Sequence, residues 1–318
     1  MDLLNAKHYE GGNRFDNILI DISSSYQIQD RWLPTVSKRP SKRNFICNYF
    51  SLFCFVLLKR LSLYEPLVSS GFVKKWFSEF HAYWNQVLGG RPITVSDFNN
   101  LYFHYRVKNQ NEGDLSWKNP QQHVINWQTP HNIGLLFHYV SKCARSPFRS
   151  KLIFKYLKKN MRVLEYGCSL APMYRTYRDF LNHRDAKWVL ADIPNYPFHF
   201  SRYAYSQESD VTLVTITSEK FDNPLKEVEG LFDFIIIQEV FEHLDRPLFI
   251  AKYLLERLRP GGLFLFDYVN SEGKGLDTTG GMQDRDETLR YLESNLRIVE
   301  GAFSVSSKSI STCLGIKK

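Results

Sequence analysis

No two cysteines in this 318-residue sequence are spaced as C-x-x-C, and the five present (Cys47, Cys54, Cys143, Cys168, Cys313) are odd in number and scattered. Neither a zinc cluster nor a disulfide framework is indicated, and reduced thiols in a cytoplasmic protein are the expectation. The start has no basic segment followed by an apolar core, so no signal peptide is expected. Residues 45–58 (FICNYFSLFCFVLL) form an apolar run flanked by Lys42–Arg43 and Lys59–Arg60. That run falls short of the roughly 20 residues a membrane span needs. Two readings stay open for it, a buried helix or a helix lying in a membrane interface. There is no internal repeat and no low-complexity tract. No G-x-G-x-x-G follows a strand, which disfavours a dinucleotide dehydrogenase, and no glycine-rich loop ends in Lys-Ser or Lys-Thr as a P-loop does.

Charge is equally lopsided. The net +8 lies wholly in residues 1–150, which carry 18 basic and 10 acidic side chains; of the 41 basic and 33 acidic in the whole chain, 23 of each remain for 151–318. A basic half suits an acidic substrate, nucleic acid or an anionic membrane surface, or is a solvated face.

What is present divides near residue 145. Residues 1–40 are irregular, broken by Gly11–Gly12, Pro34 and Pro40. From 44 to 106 the apolar spacing predicts helices, including 73–88, which Gly89–Gly90 and Pro92 would end. Trp32, Trp76, Trp84, Trp117 and Trp127 all precede residue 130, enough aromatic surface for a core or for the wall of a substrate pocket. Two further helical stretches, 133–143 and 148–159, follow. Beyond them short β-rich runs at 162–166, 187–191, 212–216, 232–237 and 262–268 alternate with helical ones, the pattern of βαβ units on a parallel sheet. Two last runs, 296–303 and 309–316, are placed to pair antiparallel. The expected architecture is an α/β, doubly wound Rossmann-like domain over 146–318. A mainly helical, aromatic-rich region over 1–145 precedes it as lid or substrate platform.

Four motifs lie along the α/β part. Val163-Leu164-Glu165-Tyr166-Gly167-Cys168-Ser169 ends the first strand, and Trp188-Val189-Leu190-Ala191-Asp192 ends the second in an acid 25 residues after Gly167. Phe232-Asp233-Phe234-Ile235-Ile236-Ile237-Gln238-Glu239-Val240-Phe241-Glu242-His243-Leu244 follows, and then Leu258-Arg259-Pro260-Gly261-Gly262. In that order they resemble the class I S-adenosylmethionine-dependent methyltransferases. The resemblance covers 161–268 and departs from the family at Ser169-Leu170-Ala171-Pro172, where further glycines are common. It implies S-adenosyl-L-methionine as cofactor. Glu165 would answer its positive amino group, directly or through water, and Tyr166, Gly167 and Cys168 would also bind it, with Gly167 letting the backbone pass close beneath. Asp192, with Ile193, stands where an acid accepts from the ribose hydroxyls. Thr217 and Ser218 match the adenine side, and Gln238 follows strand four. In the last motif Pro260 is expected to stop a helix and the glycines to turn the chain into the sheet.

The carboxyl ends of strands four and five carry the candidate catalytic residues Glu239, His243 and Asp267, since reactions in open α/β sheets occur at that edge. If the Glu239-x-x-Glu242-His243 stretch is helical, its three side chains share one face. Similar segments occur in ubiquinone-pathway O-methyltransferases and small-RNA 2′-O-methyltransferases, where they can hold a divalent cation. His243 is the last histidine in the chain, so the further downstream histidine of the RNA enzymes is missing, and no metal is assigned. A general-base role and a structural role for His243 both stay open. The glycine-rich loop 271–281 is read as a flap over the substrate or as a solvated connection. The expected activity is O-methylation of a small molecule or glycan. An RNA 2′-O-methyltransferase and a catalytically silent cofactor-binding or membrane-associated scaffold are the alternatives.

Overall fold

The computed structural model describes residues 151–270 and 277–318, the segment 119–128, strands Leu3–Asn5 (β1) and Leu19–Asp21 (β2), and a few isolated positions before residue 137. Most of the predicted helices 45–58, 73–88 and 133–143, and residues 271–276 of the loop, lie outside the described residues. Among the described residues no helix is long and apolar enough to cross a membrane. The chain divides into two compact units: Met1–Lys108 with Pro130–Arg145, and Asn109–Thr129 with Ser146–Lys318. In the first, β1 and β2 pair antiparallel.

The second unit is built on a seven-stranded sheet in the order β5-β4-β3-β6-β7-β9-β8. Its strands are Arg162–Tyr166 (β3), Lys187–Asp192 (β4), Val211–Thr215 (β5), Phe232–Ile237 (β6), Leu258–Tyr268 (β7), Leu296–Glu300 (β8) and Ile310–Lys317 (β9). β3 to β7 are parallel neighbours, while β9 runs antiparallel to both β7 and β8. The doubly wound, Rossmann-like architecture is therefore present. Helices Pro120–Trp127 (α1), Lys151–Tyr156 (α2), Pro172–Phe180 (α3), Tyr196–Tyr205 (α4), Pro247–Glu256 (α5), Thr279–Gln283 (α6) and Arg285–Asn295 (α7) accompany it.

The central strands read as unbroken apolar runs because both faces are covered. In β6, Phe234 and Ile236 enter a core with Tyr174 and Tyr177 of α3 and Phe198 of α4. Ile235 and Ile237 enter the opposite core with Ile250 and Leu254 of α5 and Leu289 of α7. Burial on two faces fixes the register, since a one-residue slip would exchange the two sets.

Three local expectations change. The helix before the Pro-Gly-Gly turn ends at Glu256, ahead of Pro260, and β7 already begins at Leu258, which pairs with Phe232. The register then shifts before Phe234 meets Leu263, so Pro260-Gly261-Gly262 forms an irregular bulge, with Gly261 at φ +72°. Of the predicted helix 148–159, Lys151–Tyr156 is helical, residues 157–159 are irregular or turn, and 148–150 lie outside the described residues. The run 296–303 leaves the sheet after Glu300.

Candidate functional site

β3 lies between β4 and β6, and the chain winds outward from it in both directions. This is the topological switch point, where the carboxyl ends of the strands leave a crevice. Gly167 sits there at φ +64°, and a Cβ on it would stand 2.4 Å from Cγ2 of Val240, beyond β6. Only glycine allows that turn both its dihedral and its close approach. The next residues are where the sequence departs from the family pattern. Ser169 and Ala171 take left-handed φ values of 52° and 47°, the region glycine occupies without strain. Hydrogen bonds hold them: the Ser169 amide donates to Asp192 Oδ2 at 2.7 Å, and the Ser201 hydroxyl donates to the Ser169 carbonyl at 2.6 Å. Pro172 takes the first turn of α3, where its missing amide hydrogen leaves nothing unbonded.

Two carboxyls are buried beneath this turn. Glu165 accepts from the amides of Met173 (3.2 Å) and Tyr174 (3.0 Å), so it closes the N-terminus of α3. Asp192 accepts from Ser169 and, on Oδ1, from the Ile193 amide at 2.7 Å and Asn195 Nδ2 at 3.1 Å. Burial pushes the Glu165 carboxyl up to about 8, against the pull of its two amide bonds and with Asp192 adding repulsion. Burial likewise lifts Asp192 to about 7. Two buried acids at a switch point suit a cationic ligand, whose charge would favour their ionised forms, and the buried Ser169 Oγ beside them lacks a hydrogen-bond partner. The donor set fits S-adenosylmethionine, whose sulfonium and ammonium are both positive.

The remaining cofactor candidates lie at or just past the carboxyl ends of β3, β4, β5 and β6. Tyr166 and Cys168 send their side chains into the two cores, so only their backbones face the crevice, and burial raises the pKa of both. Ile193, half-buried, follows Asp192 directly. Thr217 and Ser218 lie past β5, next to Ile216, whose amide donates to the Asp192 carbonyl at 2.8 Å. Gln238 donates through Nε2 to Asp267 Oδ2 (3.3 Å) and Thr312 Oγ1 (3.0 Å).

The Glu239-x-x-Glu242-His243 stretch is not an α-helix. Glu239 stands at φ +54°, and only Phe241–His243 form a single 3₁₀ turn, so the three side chains do not share a helical face. Asp267 supports that bend, accepting from the Glu239 amide at 2.5 Å. Glu239 itself is exposed, while Glu242 is buried. His243 instead lies between Glu242 and Asp277: its Nε2 is 3.8 Å from Glu242 Oε1 and its Nδ1 is 3.6 Å from Asp277 Oδ1. The two acids stand beside different nitrogens of one ring, whereas a single ion binds one nitrogen, so the arrangement is an acid–imidazole–acid row. No group of three or more ligating side chains is placed for a metal among the described residues.

Asp277 reaches His243 because the loop after β7 is pinned to the turn. The Thr278 amide donates to the Glu242 carbonyl at 3.0 Å and its hydroxyl to the Leu244 carbonyl at 2.5 Å. Cβ atoms on Gly280 and Gly281 would fall 1.8 Å from the Asp245 carbonyl oxygen and 2.2 Å from that of Glu242. Burial raises Glu242 to about 9, with Asp267, Asp277 and Glu239 adding repulsion, so at neutral pH it keeps its proton. From the other side comes α1. Trp127 packs edge-on to His243 at 5.2 Å, and His123 packs on Phe221 at 5.5 Å and on Trp117 at 5.0 Å. Burial, with the charge of His243 adding, lowers His123 to about 4. Sequence spacing marks neither Asp277 nor α1 as part of this site. The signals available were the Asn119-Pro120 helix start, which is a cap followed by proline, and the i, i+4 spacing of His123 and Trp127.

A methyltransferase-domain family model matches residues 136–299, just over half of the chain. No curated protein matches. Solved structures that align include a methyltransferase from Pyrococcus furiosus (17% identity, 58% of this chain and 98% of that one, TM-score 0.39). Another is a SAM-dependent methyltransferase from Aquifex aeolicus (17%, 56% and 98%, TM-score 0.39). A third is an O-methyltransferase family protein from Burkholderia thailandensis (10%, 70% and 71%, TM-score 0.42). Motif order, the crevice at the switch point and the family match converge: the chain belongs to the methyltransferase-domain family and is a class I methyltransferase that uses S-adenosylmethionine.

Proposed function

We propose that this enzyme methylates a hydroxyl group of a small molecule or glycan, with His243 as the base that accepts the hydroxyl proton. The observation that carries the proposal is the row Glu242–His243–Asp277 at the carboxyl edge of the sheet, with the imidazole within ion-pair distance of both acids. Held in the crevice, the cofactor supplies an electrophilic methyl group on sulfur. A hydroxyl oxygen attacking it needs a fixed line of approach and a place for its proton. His243 provides that place, and Asp277 stabilises the imidazolium that results. Gly167, Ser169 and Asp192 hold the turn under the cofactor, and Asp267 holds the bend that presents the 3₁₀ turn.

The test is turnover of His243→Asn with a labelled methyl donor, with the methylated atom identified in the product. Loss of about 10²–10⁴-fold in kcat with cofactor affinity retained supports the base. Undiminished turnover, or a methyl group found on nitrogen or carbon, overturns the reading.

A further inference from the structure

Among the described residues, four buried side-chain polar atoms on α1, on its C-cap and on the turn after β6 lack a hydrogen-bond partner. They are His123 Nδ1, Trp127 Nε1, Gln128 Nε2 and Glu242 Oε2. Contacts relate His123, Trp127 and Glu242, while Gln128 stands at the C-cap of α1. Trp127 packs on His243, His243 stands at ion-pair distance from Glu242, and His123 shares the helical face of Trp127 one turn earlier. Leaving a polar atom buried and unpaired costs about 1–3 kcal/mol, so these four need an explanation in something that binds there.

Their chemistry narrows what that is. Glu242 retains its proton and His123 is neutral, so both give or accept hydrogen bonds without charge; the indole and the amide are neutral as well. The cations of the adjoining turns are already engaged, Lys220 with Glu227 at 2.7 Å and Arg246 with Asp222 at 2.6 Å. Aromatic surface is supplied by Trp117, His123, Trp127 and Phe221. Flat apolar faces edged by several uncharged donors and acceptors match a ring that has an apolar face and many hydroxyls. Such a site offers nothing to a phosphate.

We propose that α1 and the turn Phe241–His243 enclose the acceptor site, and that its occupant is a neutral, polyhydroxylated ring, a sugar or cyclitol. The proposal rests on the O-methylation reading and narrows its acceptor. The four atoms are shut off from solvent here, so the ring enters as α1 lifts from the turn. The hydrogen bonds missing in the closed form are then made to the acceptor's hydroxyls, beside His243.

The experiment uses the full chain saturated with S-adenosylhomocysteine, whose binding is confirmed separately by calorimetry. Tryptophan fluorescence follows titration with methyl pyranosides and inositol, with the corresponding sugar phosphates, and with a short oligoribonucleotide. The expected result is saturable quenching by neutral rings at millimolar concentration, and binding of the phosphates about tenfold weaker or more. Trp127→Phe and Glu242→Met should each weaken ring binding by about tenfold while leaving S-adenosylhomocysteine affinity unchanged. Equal or better binding of phosphates or RNA, absence of quenching by every neutral ring, or variants that lose cofactor binding in step overturns the proposal. Methylation of simple phenols with no ring polyol bound would overturn this site and leave O-methylation standing. A sugar that binds but is never methylated on oxygen would do the reverse.

Discussion

Ser169 and Ala171 hold left-handed backbone without being glycine. Such a residue is strained by roughly 1–2 kcal/mol relative to glycine. Ser169→Gly is therefore expected to raise the stability of the ligand-free protein by about 1 kcal/mol, roughly 2–4 °C in Tm, as read by calorimetric melting. A fall in Tm would mean that the Ser201–Ser169 contact outweighs the strain. Asp192→Ala removes the acceptor of three hydrogen bonds around the turn. Cofactor affinity should fall by about 1–3 kcal/mol in a titration with S-adenosylhomocysteine, and unchanged affinity would place the cofactor elsewhere. Gly167→Val meets Val240 as well as forbidden dihedrals, so binding should be abolished and the fold weakened together.

At the scale of elements, the strands were legible wherever burial on two faces left an unmistakable apolar run. Residues 162–166 and 232–237 are strands with those bounds. The early start of β7 was hidden because Pro260 and two glycines normally mark a loop, and only the register shift shows them inside the strand. Asp192 could be found from its distance to Gly167, since one βα unit has a nearly fixed length. Asp277, His123 and Trp127 could not: they come from a loop and a helix far from the motif and meet His243 only through tertiary packing. Asn195 carries a local sequence signal, a capping residue with Pro197 in the first turn behind it. Its side chain caps α4 by accepting from the Phe198 amide at 2.8 Å. Asn195→Ala should cost about 1 kcal/mol in denaturant unfolding, with the same m-value. In Gly280→Ala the new methyl would collide with the Asp245 carbonyl. Pushing α6 off the turn displaces Asp277, so turnover should drop while S-adenosylhomocysteine still binds with wild-type affinity in calorimetry.

For the whole molecule, Glu165, Asp192 and Glu242 all have folded-state pKa values above their ordinary carboxylate range, about 8, 7 and 9. Each keeps a proton that the unfolded chain has already released, so its contribution is complete below the ordinary carboxylate pKa and is lost as pH rises through the folded value. His123, lowered to about 4, is neutral in both states above pH of about 6.5 and does not disturb that window. The unfolding free energy of the ligand-free protein should decline between pH of about 6.5 and 9, by up to about 1.4 kcal/mol per unit for each group still protonated. In Glu242→Gln the decline should be shallower, and an identical slope in urea titrations would show that Glu242 is ionised in the folded state.

The position of β9 has a consequence for how the sheet is completed. β8 precedes it in sequence but touches the sheet only through it, because β9 lies between β7 and β8. During synthesis β8 has no edge to join until β9 has left the ribosome and been inserted. A protease cut or premature stop ahead of Ile310 would therefore remove two strands from the sheet, and would expose the edge of β7 to pairing with other chains.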